Sequence, residues 1–140
     1  MTDISLTSQQ ACPCGSKRKF SQCCDRYISG AKTAPIAEAL MRSRYTAYTL
    51  GKVDYILATW AEQTRQTVNA ADLIQRCKET EYVSLKIISK LGGTRKHTEG
   101  QVEFAAAFKS LGKIQTHREL SNFIKQDGQW YYVDGDVSIN

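Results

Sequence analysis

The sequence predicts an α+β protein: an N-terminal metal-binding knuckle, then three helices packed on a four-stranded antiparallel sheet. Three observations carry that expectation. Four of the five cysteines fall between Cys12 and Cys24. Apolar residues recur at helical spacing from Ile36 to Thr80, and from Glu81 onward the period changes to two. Asp127-Gly128 stands between two alternating runs, a strong hairpin signal. With 140 residues, 41% hydrophobic and 24% charged, the chain suits one compact domain with a small appendage.

Residues 1–10 are polar and are expected to form a disordered tail without the apolar core of an export signal. No run of eighteen apolar residues occurs, so no membrane span is expected, and the protein is placed in the cytoplasm. Thiols stay reduced there, so clustered cysteines more often hold a metal than form disulfides.

The knuckle, residues 11–30, reads ACPCGSKRKFSQCCDRYISG. Cys12, Cys14, Cys23 and Cys24 offer four thiolates, which match the tetrahedral preference of zinc; iron accepts the same set. Pro13 stiffens the first pair, and Gly15-Ser16 can turn the chain so that backbone N–H groups face the sulfurs. Lys17, Arg18, Lys19 and Arg26 against the single carboxylate of Asp25 give the segment a charge of +3. A divalent metal on four thiolates brings −2 and leaves it close to neutral. The basic run therefore has a role beside the thiolates as well as the alternative of phosphate contact. A redox role fits less well, because adjacent cysteines form a strained disulfide and Cys-x-x-Cys is absent.

A first helix is predicted from Ile36, with Ala37, Leu40, Met41, Arg44, Tyr45 and Tyr48 on one face and Gly51 as its C′ residue. A second runs from about Val53 to Trp60. A third covers NAADLIQRCKET, with Asn69 or Asp72 at its start and Cys77 as a partly buried hydrophobe. The strands are YVSLKII, QVEFAAAF, HRELSNFI and QWYYVDG. Val102, Phe104, Ala106 and Phe108 share one face of the second strand, and Glu119, Ser121 and Phe123 one face of the third.

The run CPCGSKRKFSQCC resembles the SEC-C motif, the metal-binding element also found at the C-terminus of the SecA translocation ATPase. Lys17 stands where that pattern has its second glycine, a residue that tolerates positive φ. LMRSRYTAY, DYILATW, VEFAAAF, HRELSNF and GQWYYVDG resemble, in order, the YchJ-like family of bacterial SEC-C proteins. The resemblance spans about residues 11–136. It implies a cone-shaped domain over 31–140, like nuclear transport factor 2, with helices over a curved sheet. Many relatives carry a second SEC-C motif after the last strand, and residues 136–140 hold none. Likeness to the SecA motif implies a non-enzymatic interaction module with a protein or ribosomal partner, and Arg18, Lys19, Phe20 and Arg26 as exposed contacts. The net charge of +5 also admits nucleic acid without pointing to it.

The alternative is a small-molecule protein or enzyme that uses a pocket in the cone. Arg44 lies in an apolar helical stripe and needs a partner, and alternation makes Glu119 the best placed carboxylate. The two are expected to form a buried ion pair. Tyr48, Trp60, Ser121, Phe123, Trp130 and Tyr132 are the candidate lining. This pair serves either ligand binding or simply the joint between helix and sheet. No nucleophile–base pair can be assigned, so no catalytic residue is named, and His97 and His117 are expected at the surface.

Overall fold

The structure, a computed structural model, describes residues 7–140. Four strands, β1 (Glu81–Gly92), β2 (Glu99–Ser110), β3 (Lys113–Gln126) and β4 (Gln129–Ile139), form one antiparallel meander in sequence order. Each runs past the sequence-predicted segment, because ladder pairing continues into residues that carry no alternation. Register shifts between Tyr82 and Ser84, Ile87 and Ser89, and Asn122 and Phe123 mark bulges, which bend a strand and raise its twist.

The helices are α1 (Asp25–Ile28), α2 (Ala37–Leu50), α3 (Val53–Ala58), α4 (Glu62–Arg65) and α5 (Ala70–Glu79). The short α1 and α4 were not expected from periodicity, which needs more than one turn to register. Gly51 ends α2 at φ +71°, with Lys52 N–H reaching Ala47 O at 2.8 Å, a Schellman closure. Asn69 caps α5 by accepting from the Asp72 N–H at 3.0 Å. Trp60 lies beyond α3. It is held in a bridge to Tyr132, with Ala61 N–H donating to Tyr132 O at 2.7 Å and Tyr132 N–H to Thr59 O at 2.9 Å.

Ala37, Leu40, Met41 and Tyr45 of α2 pack on Val102, Phe104, Ala106, Phe123 and Trp130 of the sheet. Ala47, Ile56 and Leu73 make a smaller cluster where α2, α3 and α5 meet. Cys12, Cys14, Phe20, Cys23, Cys24 and Tyr27 belong to the main core, so the knuckle packs into the body of the domain. About twenty residues have no core of their own, and these residues borrow one from α2 and the sheet. Of the expected tail, residues 1–6 lie outside the described residues. Residues 7–10 form a turn tied to the knuckle by Phe20 N–H to Gln10 O at 2.8 Å. Among the described residues, no helix is long and apolar enough to cross a membrane.

The β1–β2 hairpin meets the start of α2 through Gly93. Its carbonyl accepts the Ala37 N–H at 2.9 Å, its φ is +72°, and a Cβ there would sit 2.8 Å from Ala37 Cβ. Gly93→Ala should therefore cost about 1–3 kcal/mol, from a disfavoured φ and a crowded contact together. Urea unfolding of the two proteins measures this, and an unchanged midpoint would show that the hairpin yields freely.

Candidate functional site

The knuckle is a short loop closed on itself. Cys12 N–H donates to Arg18 O at 2.9 Å, Ala11 bridges Lys19, and a 3-10 turn over Phe20–Gln22 leads directly into α1. This brings the two cysteine pairs face to face. All four Sγ atoms lie within 4.8 Å of one another, with Cys14–Cys23 at 3.6 Å and Cys23–Cys24 at 3.9 Å. A tetrahedral metal about 2.3 Å from each sulfur requires sulfurs roughly 3.8 Å apart. The donor set and its spacing therefore suit a single four-coordinate metal ion.

Hydroxyl groups and a guanidinium stand around the sulfurs. The Ser16 hydroxyl lies 3.2 Å from Cys23 Sγ while accepting the Arg18 N–H at 3.2 Å. The Thr46 hydroxyl lies 3.8 Å from Cys12 Sγ. Arg42 of α2 donates to Cys14 O at 2.8 Å and is itself held by Glu38, which also pairs with Lys90. Hydrogen bonds from Cys12 and Cys24 hold the Cys14 thiol well below the usual thiol range. Its hydrogen bond with Cys14, together with burial, pushes Cys12 up to about 11, and hydrogen bonds with Cys12 and Cys14 raise Cys24. A divalent cation would relieve the crowding of these thiols by taking them as thiolate ligands.

Lys17 adopts φ +70°, so the position where the SEC-C pattern has glycine is indeed left-handed here. Of the four residues expected as exposed partner contacts, Arg18 and Lys19 are exposed. Phe20 is not, because it is 8% exposed and packs in the core beneath the cysteines. Arg26 is half-buried. It donates to Cys23 O and to the Tyr27 hydroxyl, both at 3.1 Å, and clamps the knuckle from within.

The second feature is a cavity of about 190 Å³ between α2 and the sheet. Arg44, Tyr48, Trp60, Glu119, Ser121, Phe123 and Tyr132 all line it. Trp130 does not: it is 1% exposed, buried in the core with its indole N–H on Pro35 O at 3.2 Å. The expected Arg44–Glu119 ion pair is also corrected. Both groups are buried on the same side of the sheet, but among the described residues no carboxylate lies within 4.0 Å of Arg44. Arg44 Nη1 donates to Ile56 O and Thr59 Oγ1, both at 2.7 Å. Its guanidinium lies against two aromatic rings that touch each other edge to face, 4.9 Å from the Trp60 centroid and 4.6 Å from that of Tyr132. Burial pushes its pKa down.

Tyr132 separates the two charges. Its ring faces Arg44 and its hydroxyl donates to Glu119 Oε2 at 2.6 Å. Ser121 Oγ donates to the same oxygen, and His117 Nε2 to Oε1, both at 2.8 Å. His117 is thus half-buried in the cavity wall and stacked on Phe104, against the surface position expected of it; His97 is exposed. Alternation was the signal that places His117, since it shares a face with Glu119 and Ser121. The Glu119 side chain leans across β4 over Gly135, where a Cβ would come within 2.7 Å of its Cγ and Cδ. Burial pushes the Glu119 carboxyl up, but the hydrogen bonds from His117, Tyr132 and Ser121 outweigh it and hold it below the usual carboxylate range.

Fold and site together define a class: an α+β domain of helices over an antiparallel sheet that has a four-cysteine knuckle built into its core. The model described as "YchJ, middle NTF2-like domain" matches residues 36–135, and the SEC-C motif matches residues 10–26. The chain belongs to this YchJ family of SEC-C proteins. It is 42% identical to a UPF0225 protein of Chromobacterium violaceum over 132 residues, 94% of this chain and 96% of that one. Two solved structures are similar. One is the solution structure of a SEC-C motif containing protein from Rhodopseudomonas palustris, with a TM-score of 0.84 at 34% identity, covering 91% of this chain and 98% of the other. The second is the crystal structure of a SEC-C motif containing protein from Psychrobacter arcticus, with a TM-score of 0.79 at 31% identity, covering 94% and 84%.

Two outcomes follow from the geometry. If the four thiols hold a metal ion, its chelation under reducing conditions should lower the unfolding midpoint of the whole protein, because the thiols share its core. Trp60 and Trp130 fluorescence should report that shift. An unchanged tryptophan transition, with only residues 11–30 becoming protease-sensitive, would show two independent parts. Glu119→Gln should cost about 1–3 kcal/mol at pH 7, through lost hydrogen bonds to a charged group. The depressed carboxyl stabilises the fold above the ordinary range, about pH 4.3, and that stability is lost as the pH falls through the folded value. The gap between wild type and variant should therefore narrow toward pH 3 in urea titrations, and a constant gap would rule out the charge as its cause.

Proposed function

We propose that this protein is a zinc-bearing interaction protein whose knuckle presents the exposed loop Lys17-Arg18-Lys19 to a protein or ribosomal partner. The observation that carries this reading is the mutual closeness of four buried thiols. Four protein ligands close a tetrahedral site, leave no position for substrate, and make the metal a structural element. Zinc is the first choice for such a set because it takes tetrahedral thiolate coordination without redox chemistry. Phe20 and Arg26 then support the loop from below, and the three cations remain for contact. The thiolates offset much of the local positive charge, which favours a folded partner surface over a phosphate backbone.

Protein purified without chelator should contain about one zinc per chain by elemental analysis. Lysate capture with wild type should enrich a defined partner that Lys17→Glu/Arg18→Glu/Lys19→Glu loses while keeping its metal and its melting temperature. Cys23→Ser/Cys24→Ser, which removes two ligands, should lose both metal and partner. A metal-free chain with its thiols paired in disulfides would defeat the metal assignment. Undiminished capture by the charge-reversed protein would defeat the loop.

A further inference from the structure

The knuckle leaves the cavity under α2 without a purpose, and its wall is chemically unbalanced. Arg44 is 5% exposed, and only its Nη1 has hydrogen-bond partners among the described residues. Its Nε and Nη2 are left over. A buried guanidinium in this state lacks both a counter-charge and part of its hydrogen bonding, a costly arrangement in a low dielectric. The wall's own carboxylate does not relieve it. Glu119 already accepts from His117 on one oxygen and from Ser121 and Tyr132 on the other. Trp60, on the same wall, carries a fully inaccessible indole Nε1–H that has no partner among the described residues. Three hydrogen bonds already engage the wall's carboxylate, and none of them comes from Arg44.

The rest of the wall is aromatic and apolar, chiefly Tyr45, Tyr82, Phe104 and Ala106. Arg76 lies exposed at the mouth and adds positive charge there. A space of about 190 Å³ is below the drug-sized range and has room for one small organic molecule. From this combination we propose that the cavity binds a small amphipathic monoanion, a carboxylate carried on a flat apolar or aromatic body. The carboxylate meets the free Arg44 donors, which present the planar fork that matches it. The body lies against the aromatic wall. A cationic ligand would face Arg44 with both Glu119 oxygens occupied. A hydrated inorganic anion would strand the aromatic surface, so neither satisfies both halves of the wall.

The test uses full-length, metal-loaded protein with benzoate as probe, benzamide as its neutral isostere and inorganic phosphate as a bare anion. Benzoate should bind saturably with a Kd of about 0.1–1 mM and raise the melting temperature. In ¹⁵N-labelled protein it should move the Trp60 indole cross-peak more than that of Trp130. Benzamide should bind at least about tenfold more weakly, and phosphate should leave the Trp60 signal in place. Arg44→Gln should abolish benzoate binding. Because Arg44 also ties α2 to α3, Ala106→Leu is the second variant: it fills the cavity, leaves Arg44 in place, and should likewise abolish binding while the fold survives. Equal binding of benzamide, benzoate binding that survives Ala106→Leu, or no saturation at about tenfold the expected Kd would each overturn the proposal. Occupation of the cavity by water alone is the meaning of the last result.

Discussion

One helix is buried on nearly every side, and the rest of the molecule is arranged to make that tolerable. Of the fourteen residues of α2, Ala37, Leu40, Met41, Ser43, Arg44, Tyr45, Thr46 and Ala47 are buried. A helix in that position meets the sheet, the knuckle and α3 at once. Its polar side chains must then find partners inside the protein. Ser43 bonds Leu40 O and the Tyr55 hydroxyl, Thr46 bonds Arg42 O and lies beside Cys12, and Arg44 bonds the end of α3. The knuckle closes over one flank of α2 and the cavity opens on another. The two features of functional interest therefore share a single supporting element.

That arrangement explains why the knuckle and the domain belong together. The cysteine residues are nearly inaccessible, and what covers them is the body of the domain on one side and Phe20 and Tyr27 on the other. Charge at the sulfurs is met by hydroxyls from Ser16 and Thr46, with Arg42 anchored beside them on the Cys14 carbonyl. Partners of this kind orient ligands and tune a thiolate site as much as the ligands themselves do. On the cavity side the same economy of elements holds Glu119 and Arg44 apart. The Tyr132 ring receives the guanidinium and its hydroxyl serves the carboxylate, so one residue of β4 answers to both charges.

Much of this was legible in order of appearance. Two cysteine pairs separated by eight residues imply a four-ligand cluster, because four thiols so close in sequence have few other ways to be satisfied in a reducing setting. Period-two alternation placed Glu119, Ser121 and Phe123 on one face and thereby in one wall. It failed where a residue's neighbours come from elsewhere in the chain. Phe20 sits in a basic run and reads as exposed, yet the domain beneath it supplies an apolar surface and draws it in. Trp130 shares the character of the pocket aromatics, but it lies at the Pro35 end of the core, where there is no cavity. Pairing Arg44 with Glu119 assumed that opposite charges on facing elements touch. Tyr132, expected only as part of the lining, takes the space between them.

By itself, the sequence determined the α+β class, the order of the principal helices and strands, the four cysteines that cluster and the face of β3 that turns inward. These follow from spacing, periodicity and turn chemistry, which act over a few residues. Tertiary structure alone decided that the knuckle has no core separate from the domain, that Arg44 keeps donors unspent, and that the Tyr132 hydroxyl of β4 reaches Glu119. Each of these depends on which side chain occupies a shared volume first. Close packing settles that contest among residues far apart in the chain, so it leaves no trace in any short stretch of it.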